Sequence, residues 1–190
     1  SPSRGLGDVY KRQGVLMTFL IVGSLATKWR FEEKARISAE EANDGVRGWK
    51  NVLANGAAPS IVAILSWLGD GDWYFLGMAC CASVALSDTL ASEIGSLDPR
   101  TRSIINLEAV PPGTNGGMSP TGTFAALSGS LIIATVTALM IPYSHDGFHH
   151  ETTLLVNDRG LAFVLITFVG WMGCQVDSVL GALLENKGYI

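Results

Sequence analysis

Apolar and polar stretches follow one another along this chain in long blocks, without the residue-by-residue alternation of barrel strands. Five apolar segments stand out: Gly14 to Thr27, Val52 to Leu68, Trp73 to Ala91, Met118 to Ile141 and Leu161 to Leu184. A segment inside lipid must satisfy its own backbone polar groups, so runs of this kind predict helices. The second begins at the polar pair Asn55-Gly56 and carries Pro59. The third is dense in small residues (Ala79, Ala82, Ser83, Ala85, Ser87), and the fourth repeats the habit through Gly122, Ala125, Ala126, Ser128, Gly129 and Ser130. The fifth holds Gly170, Gly173 and Gly181. Small residues let helices approach closely in a bilayer. The pattern therefore predicts an all-α fold, a multi-pass transmembrane helical bundle with about five membrane segments in this sequence.

The first segment is shorter than the roughly 20 residues needed to span. Residues 1–13 before it are polar, rich in Gly and Arg, and unlike the rest of the chain; they read as a non-native, adaptor-like leader. They are no signal peptide, because Lys28-Trp29-Arg30 comes directly after the apolar run without a small-residue cleavage site. Residues 14–190 then form a partial polytopic membrane domain.

Composition agrees. The chain is 48% hydrophobic and 16% charged over 190 residues, against about a quarter charged in soluble domains. A net charge of −4, with no basic patch interleaved with aromatics, excludes nucleic acid as a partner. Cys80, Cys81 and Cys174 lie in apolar stretches without metal-ligand spacing and read as small hydrophobes.

Loop charge sets an orientation. Lys28, Arg30, Lys34, Arg36, Arg47 and Lys50 come after the first segment, Arg100 and Arg102 after the third, and Lys187 after the fifth. The other two connections carry only Arg159 among them, with Asp70 and Asp72 in the first. The positive-inside rule puts loops 28–50 and 94–117 in the cytoplasm, across the plasma membrane if the source is prokaryotic. His145, His149 and His150, with Asp146 and Glu151, fall on the opposite face and read as adventitious metal ligands at most.

Acidic residues inside apolar runs are the chemical signal, since a carboxylate in a span costs several kcal/mol and so marks a site. Asp88 and Glu93 end the third segment, and Asp177 is buried within the fifth. Helical spacing pairs Asp88 with Ser92 and Thr89 with Glu93. Such oxygen ligands suit Mg²⁺, with Asp177 as a third carboxylate from another helix. The bland alternative is a helix-end carboxylate at the interface or paired with Arg100 or Arg102. The stretch Val110 to Ser119 is rich in Gly and Pro and leads into the fourth segment. Its glycines permit a backbone nest for anions, supplemented by a helix N-terminus near Ser119. It is not a Walker A sequence, and an ordinary turn is the competing reading.

Four motifs in order make the sequence recognisable: Trp49-Lys50-Asn51-Val52-Leu53-Ala54-Asn55-Gly56, Ser87-Asp88-Thr89-Leu90-Ala91-Ser92-Glu93-Ile94-Gly95, Pro112-Gly113-Thr114-Asn115-Gly116-Gly117, and Asp177-Ser178-Val179-Leu180-Gly181-Ala182. Together they resemble the transmembrane protein 19 family, a multi-pass group long labelled a domain of unknown function. Met118 and Pro120 vary its usual loop. The family's plant plastid member is a phytyl-phosphate kinase, and its chains carry further helices beyond both ends of this one. The resemblance implies an integral membrane kinase that moves a phosphoryl group from a nucleoside triphosphate, CTP foremost, to a prenyl or phytyl monophosphate, with Mg²⁺ as cofactor. On that reading Asp88, Glu93 and Asp177 are catalytic and metal-binding. Gly113, Thr114, Asn115, Gly116, Gly117 and Ser119 take nucleotide phosphates, and Asn55, Lys50 and Arg102 take the acceptor phosphate. The partners are then the bilayer, the prenyl phosphate and the nucleotide. A cation-coupled transporter and a non-catalytic membrane protein are the alternatives.

Overall fold

The structure, a computed structural model, describes residues 2–37, 57–62, 64–65, 73–114, 116–141 and 158–184. Helix α1 is Pro2–Lys28 and α2 is Phe31–Ile37. Helix α3 is Trp73–Gly95, followed by a two-stranded ribbon of β1 (Arg102–Ser103) and β2 (Gly117–Met118). Helices α4 (Pro120–Met140) and α5 (Arg159–Leu184) complete the described elements, and residues 57–62 are helical as well. The expected all-α membrane bundle is what forms, with the ribbon as a small addition. Among the described residues, three helices are long and apolar enough to cross a membrane: Trp73–Gly95, Pro120–Met140 and Arg159–Leu183. About half of the segment expected at 52–68 lies outside the described residues. Helix α1 runs unbroken through Gln13-Gly14, where the composition changes, because Leu, Lys, Arg and Gln are all good helix formers.

Local chemistry sets the helix ends. Ser119 is the N-cap of α4: its Oγ accepts from Gly122 N at 3.1 Å, and Pro120 occupies the first helical position. At the start of α5, Asp158 Oδ1 accepts from Gly160 N at 2.8 Å and Leu161 N at 3.1 Å. Arg159 Nε donates to Ile141 O at 2.8 Å, tying that start to the end of α4.

Helix α3 is the central element, packed by α1, α4 and α5. Its small residues do what the sequence pattern asks of them. A Cβ at Gly129 of α4 would lie 3.0 Å from Leu86 O and from Ser87 Cα. One at Gly170 of α5 would lie 2.8 Å from Ser130 Cβ and 2.9 Å from Ser83 Cβ. The backbones therefore meet without side chains between them, and Ser83 Oγ adds a bond to Ile166 O at 3.1 Å. Helices α1 and α5 run parallel to α3 and α4 antiparallel. Gly23 faces Thr89 and Thr27 faces Glu93, whereas Gly129 faces Ser87 and Gly122 faces Gly95. The outer side of α5, with Leu161, Val164, Phe168, Met172, Val176 and Leu180 exposed, is the kind of apolar surface a bilayer covers.

Candidate functional site

This packing brings the ends of α1, α3 and α5, the start of α4 and the β1–β2 ribbon to one end of the bundle. The Gly-rich loop rests there on α5, where a Cβ at Gly116 would sit 2.9 Å from Ala182 Cα. Asp88, Glu93, Asp177, Arg102 and the loop thus share one end.

The acids divide between two seams. In the parallel α3–α5 pair, a Cβ at Gly173 would meet Val84, 3.0 Å from its Cγ1. One helical turn further along each helix come Asp88 and Asp177, four residues on from that contact. Each lies seven residues before its helix ends, about 10 Å in depth at 1.5 Å per residue. Cys174 is buried within electrostatic reach of both carboxylates. Asp88 is half-buried. Asp177, expected to be buried, is exposed among the described residues.

Glu93 belongs to the other seam. It is five residues past Asp88, which turns it about 140° away around the helix, toward α1. Its carboxylate accepts from Lys34 Nζ at 2.6 Å and Thr27 Oγ1 at 2.9 Å. Lys34 also donates to Ala26 O and Thr27 O, both at 2.9 Å, so one ammonium closes the C-terminus of α1 and holds the end of α3. The partner weighed from sequence, Arg100 or Arg102, is replaced by a lysine in the first connection. The structure does not bring Glu93 to Asp88 and Asp177, and among the described residues no group of three or more His, Cys, Asp and Glu side chains is placed to hold a metal. With side chains 9% and 17% exposed, breaking the pair should matter to the fold. Glu93→Gln is expected to cost about 1.5–3 kcal/mol, seen as a lower unfolding midpoint in detergent, while activity per folded molecule is kept.

The Gly-rich loop is organised from its base. Gly113 and Gly116 adopt φ of 86° and 71°, which glycine tolerates without penalty. Thr114 Oγ1 donates to Pro111 O at 2.7 Å, and Gly117 N donates to Thr114 O at 2.8 Å, so two of the expected phosphate donors are used within the loop. Ser119, 4% exposed, is taken up in capping α4. Arg102 is exposed on β1, paired with Met118, and its Nη1 donates to Leu107 O at 3.0 Å. Asn115, Lys50 and Asn55 lie outside the described residues, as do His145, His149, His150, Asp146 and Glu151.

Asp98, to which no sequence motif points, holds the base of this loop. Its carboxylate accepts from Arg100 N at 3.0 Å, Arg100 Nε at 3.0 Å and Arg100 Nη2 at 3.1 Å, and from Thr121 Oγ1 at 2.8 Å and Thr121 N at 3.3 Å. These bonds join the end of α3 to the first turn of α4, where a negative charge meets the positive end of the helix dipole. The expected anion cradle at that N-terminus is thus taken by the protein's own carboxylate. The Arg100 bonds, with those from Thr121, hold the Asp98 carboxyl well below the usual carboxylate range. A lowered folded-state pKa gives stability that is present above the unfolded value, near about 4, and lost as pH falls from there toward the depressed value. Asp98→Asn is therefore expected to melt below the parent at pH 7, with a narrower gap at pH 3. The check is a pair of thermal melts at the two pH values. A single Asp-Pro after a helix reads as an ordinary turn, and only Thr121, next to Pro120, hints at its partner.

Fold and site together define an integral membrane helical bundle with an acidic seam and a glycine-rich loop at one end. The chain belongs to the family described as integral membrane protein DUF92, whose model matches residues 9–190. An uncharacterized membrane protein of Methanocaldococcus jannaschii is 32% identical over 93% of this chain and 66% of its own length. One from Synechocystis is 30% identical over 91% and 63%. The chloroplastic protein VTE6 of Arabidopsis thaliana is 33% identical over 67% of this chain and 40% of its own. The chain thus spans a little under two thirds, 66% and 63%, of the first two relatives. No solved structure matches it.

Proposed function

We propose that this chain is the site-bearing part of a membrane kinase that phosphorylates prenyl monophosphates, including phytyl phosphate, from a nucleoside triphosphate, CTP foremost. The observation that carries the reading is the alignment of Asp88 and Asp177 at one level of the α3–α5 seam, at the end that also holds the glycine-rich loop. The family resemblance of those motifs supports it.

The chemistry asks little of the side chains. An oxygen of the lipid monophosphate forms the new bond to the γ-phosphorus, the bond from that phosphorus to the β,γ-bridging oxygen breaks, and nucleoside diphosphate leaves. The acceptor is already an oxyanion, so no general base is needed, and positioning and charge neutralisation do the work. Mg²⁺ takes one or two carboxylates alongside substrate phosphates, and Asp88 and Asp177 fit that donor set; when bound it would neutralise phosphate charge. Glu93 instead keeps α1, α2 and α3 together beside the site. Gly113, Gly116 and Asn115 are assigned to nucleotide phosphates, and Lys50 and Asn55 to the acceptor, with this end in the cytoplasm by loop charge.

The test is to incubate the purified protein with Mg²⁺, CTP or ATP, and phytyl or geranylgeranyl monophosphate. Lipid diphosphate is the expected product, and its absence with every nucleotide rejects the reading.

A further inference from the structure

We infer that Arg100 is a phosphate-binding side chain at the base of the glycine-rich loop, and that Asp98 is the residue that positions it for a nucleoside triphosphate. This rests on the reading of this end as a nucleotide and lipid-phosphate site.

The two arginines here are used in different ways. Arg102 Nη1 is drawn back to Leu107 O inside its own loop. Arg100 is held from its other edge. Asp98 engages its Nε and Nη2 edge as well as its backbone N–H, and among the described residues Arg100 has no other hydrogen-bond partner. The carboxylate is buried, with 3% of its side chain exposed, whereas the guanidinium is 67% exposed. One edge of the planar fork is therefore fixed from behind, and the Nη1 edge is offered to solvent. A guanidinium has five donors in rigid geometry, so fixing one edge aims the rest. That lowers the rotamer entropy lost when an anion binds.

Position makes the anion a substrate. Thr121, which shares Asp98 with Arg100, begins α4 just after the loop. A Cβ at Gly117 would lie 2.8 Å from Thr101 Cγ2, so the residue after Arg100 packs on the loop's last glycine. Arg100 thus stands where loop 101–119 both leaves and returns. With the start of α4 already met by Asp98 and Ser119, this cation supplies the donor that the helix end does not. An oriented fork suits the planar array of phosphate oxygens better than a flexible lysine would. The clamp sits on the loop side of the end, so the nucleotide is its ligand, and the lipid phosphate falls to the α3–α5 seam.

The experiment measures binding and turnover separately in the full chain. Labelled CTP and ATP are bound at equilibrium, without acceptor, to the parent and to Arg100→Gln, Arg100→Lys and Asp98→Asn. Arg100→Gln is expected to weaken nucleotide binding about tenfold or more, in line with loss of a charge-assisted bidentate contact, with its unfolding midpoint little changed. Arg100→Lys recovers less than half of the loss on a logarithmic scale, and Asp98→Asn weakens binding while KM for the lipid phosphate stays within twofold. Nucleotide affinity unchanged within twofold in Arg100→Gln overturns the inference, as does a rise confined to the lipid-phosphate KM or a parent that binds neither nucleotide. Binding with this pattern but no lipid diphosphate would reject the kinase reading and leave the Arg100 assignment standing.

Discussion

Asp88→Asn is expected to lower lipid-diphosphate formation by at least about a hundredfold, the scale on which removing one preorganised electrostatic contact to a reacting group acts. The substitution keeps the volume and polarity of a half-buried residue, so the protein should still be extracted as a folded species. The effect should fall on kcat more than on KM for the lipid, because the missing charge acts on the phosphates during transfer rather than on the prenyl tail. Glu93→Gln is the internal comparison. It removes a carboxylate from the same helix nearer the end, yet one bound to Lys34 and Thr27. If Asp88→Asn retains full activity, the seam is not the site. If Glu93→Gln is the inactive variant, the division of the acids between two seams is wrong.

The largest effect on folding is expected at Gly170. Two side chains already stand where a Cβ would go, and Val would force α5 off both α3 and α4. Overpacking a close-packed contact costs about 1–3 kcal/mol, sometimes more, and the lost Ser83–Ile166 bond adds to it. Gly170→Val should therefore fall near the upper end of that range, as a lower midpoint in a denaturing-detergent titration. Gly181→Val on the same helix is the control, since a Cβ there meets nothing within 4 Å. Its midpoint should match the parent within error. Helix propensity favours Val over Gly, so equal losses at both positions would contradict a packing contact special to Gly170.

These two predictions differ in how far the sequence alone reaches them. The spans are legible because apolar blocks and small-residue runs report helix and contact directly; the expected third segment begins at Trp73, where α3 begins. The acids are legible as exceptions within those blocks. Which acids share a level is not, because it depends on the register between helices 89 residues apart in sequence, fixed by Val84 against Gly173. Nothing in the residues around Glu93 points to Lys34, one of several bases in a charged connection. The burial expected for Asp177 comes from reading an apolar run as enclosed, whereas its side chain stands exposed. The loop reads as an anion nest from its glycines. Its real organiser, Asp98, accepts from Thr121 across 23 residues, a pairing no local pattern encodes.

The central claim is that Asp88 and Asp177 act together on one phosphoryl group. The measurement that tests it most directly is a double-mutant cycle on lipid-diphosphate formation, with label followed from the γ-phosphate. Asp88→Asn, Asp177→Asn and the double variant are compared with the parent at saturating Mg²⁺. Residues that work as a unit are strongly non-additive, so each single change should lose most of the activity and the double should lose little more than either. Losses that multiply across the cycle, or an Asp177→Asn protein as active as the parent, would contradict a shared site.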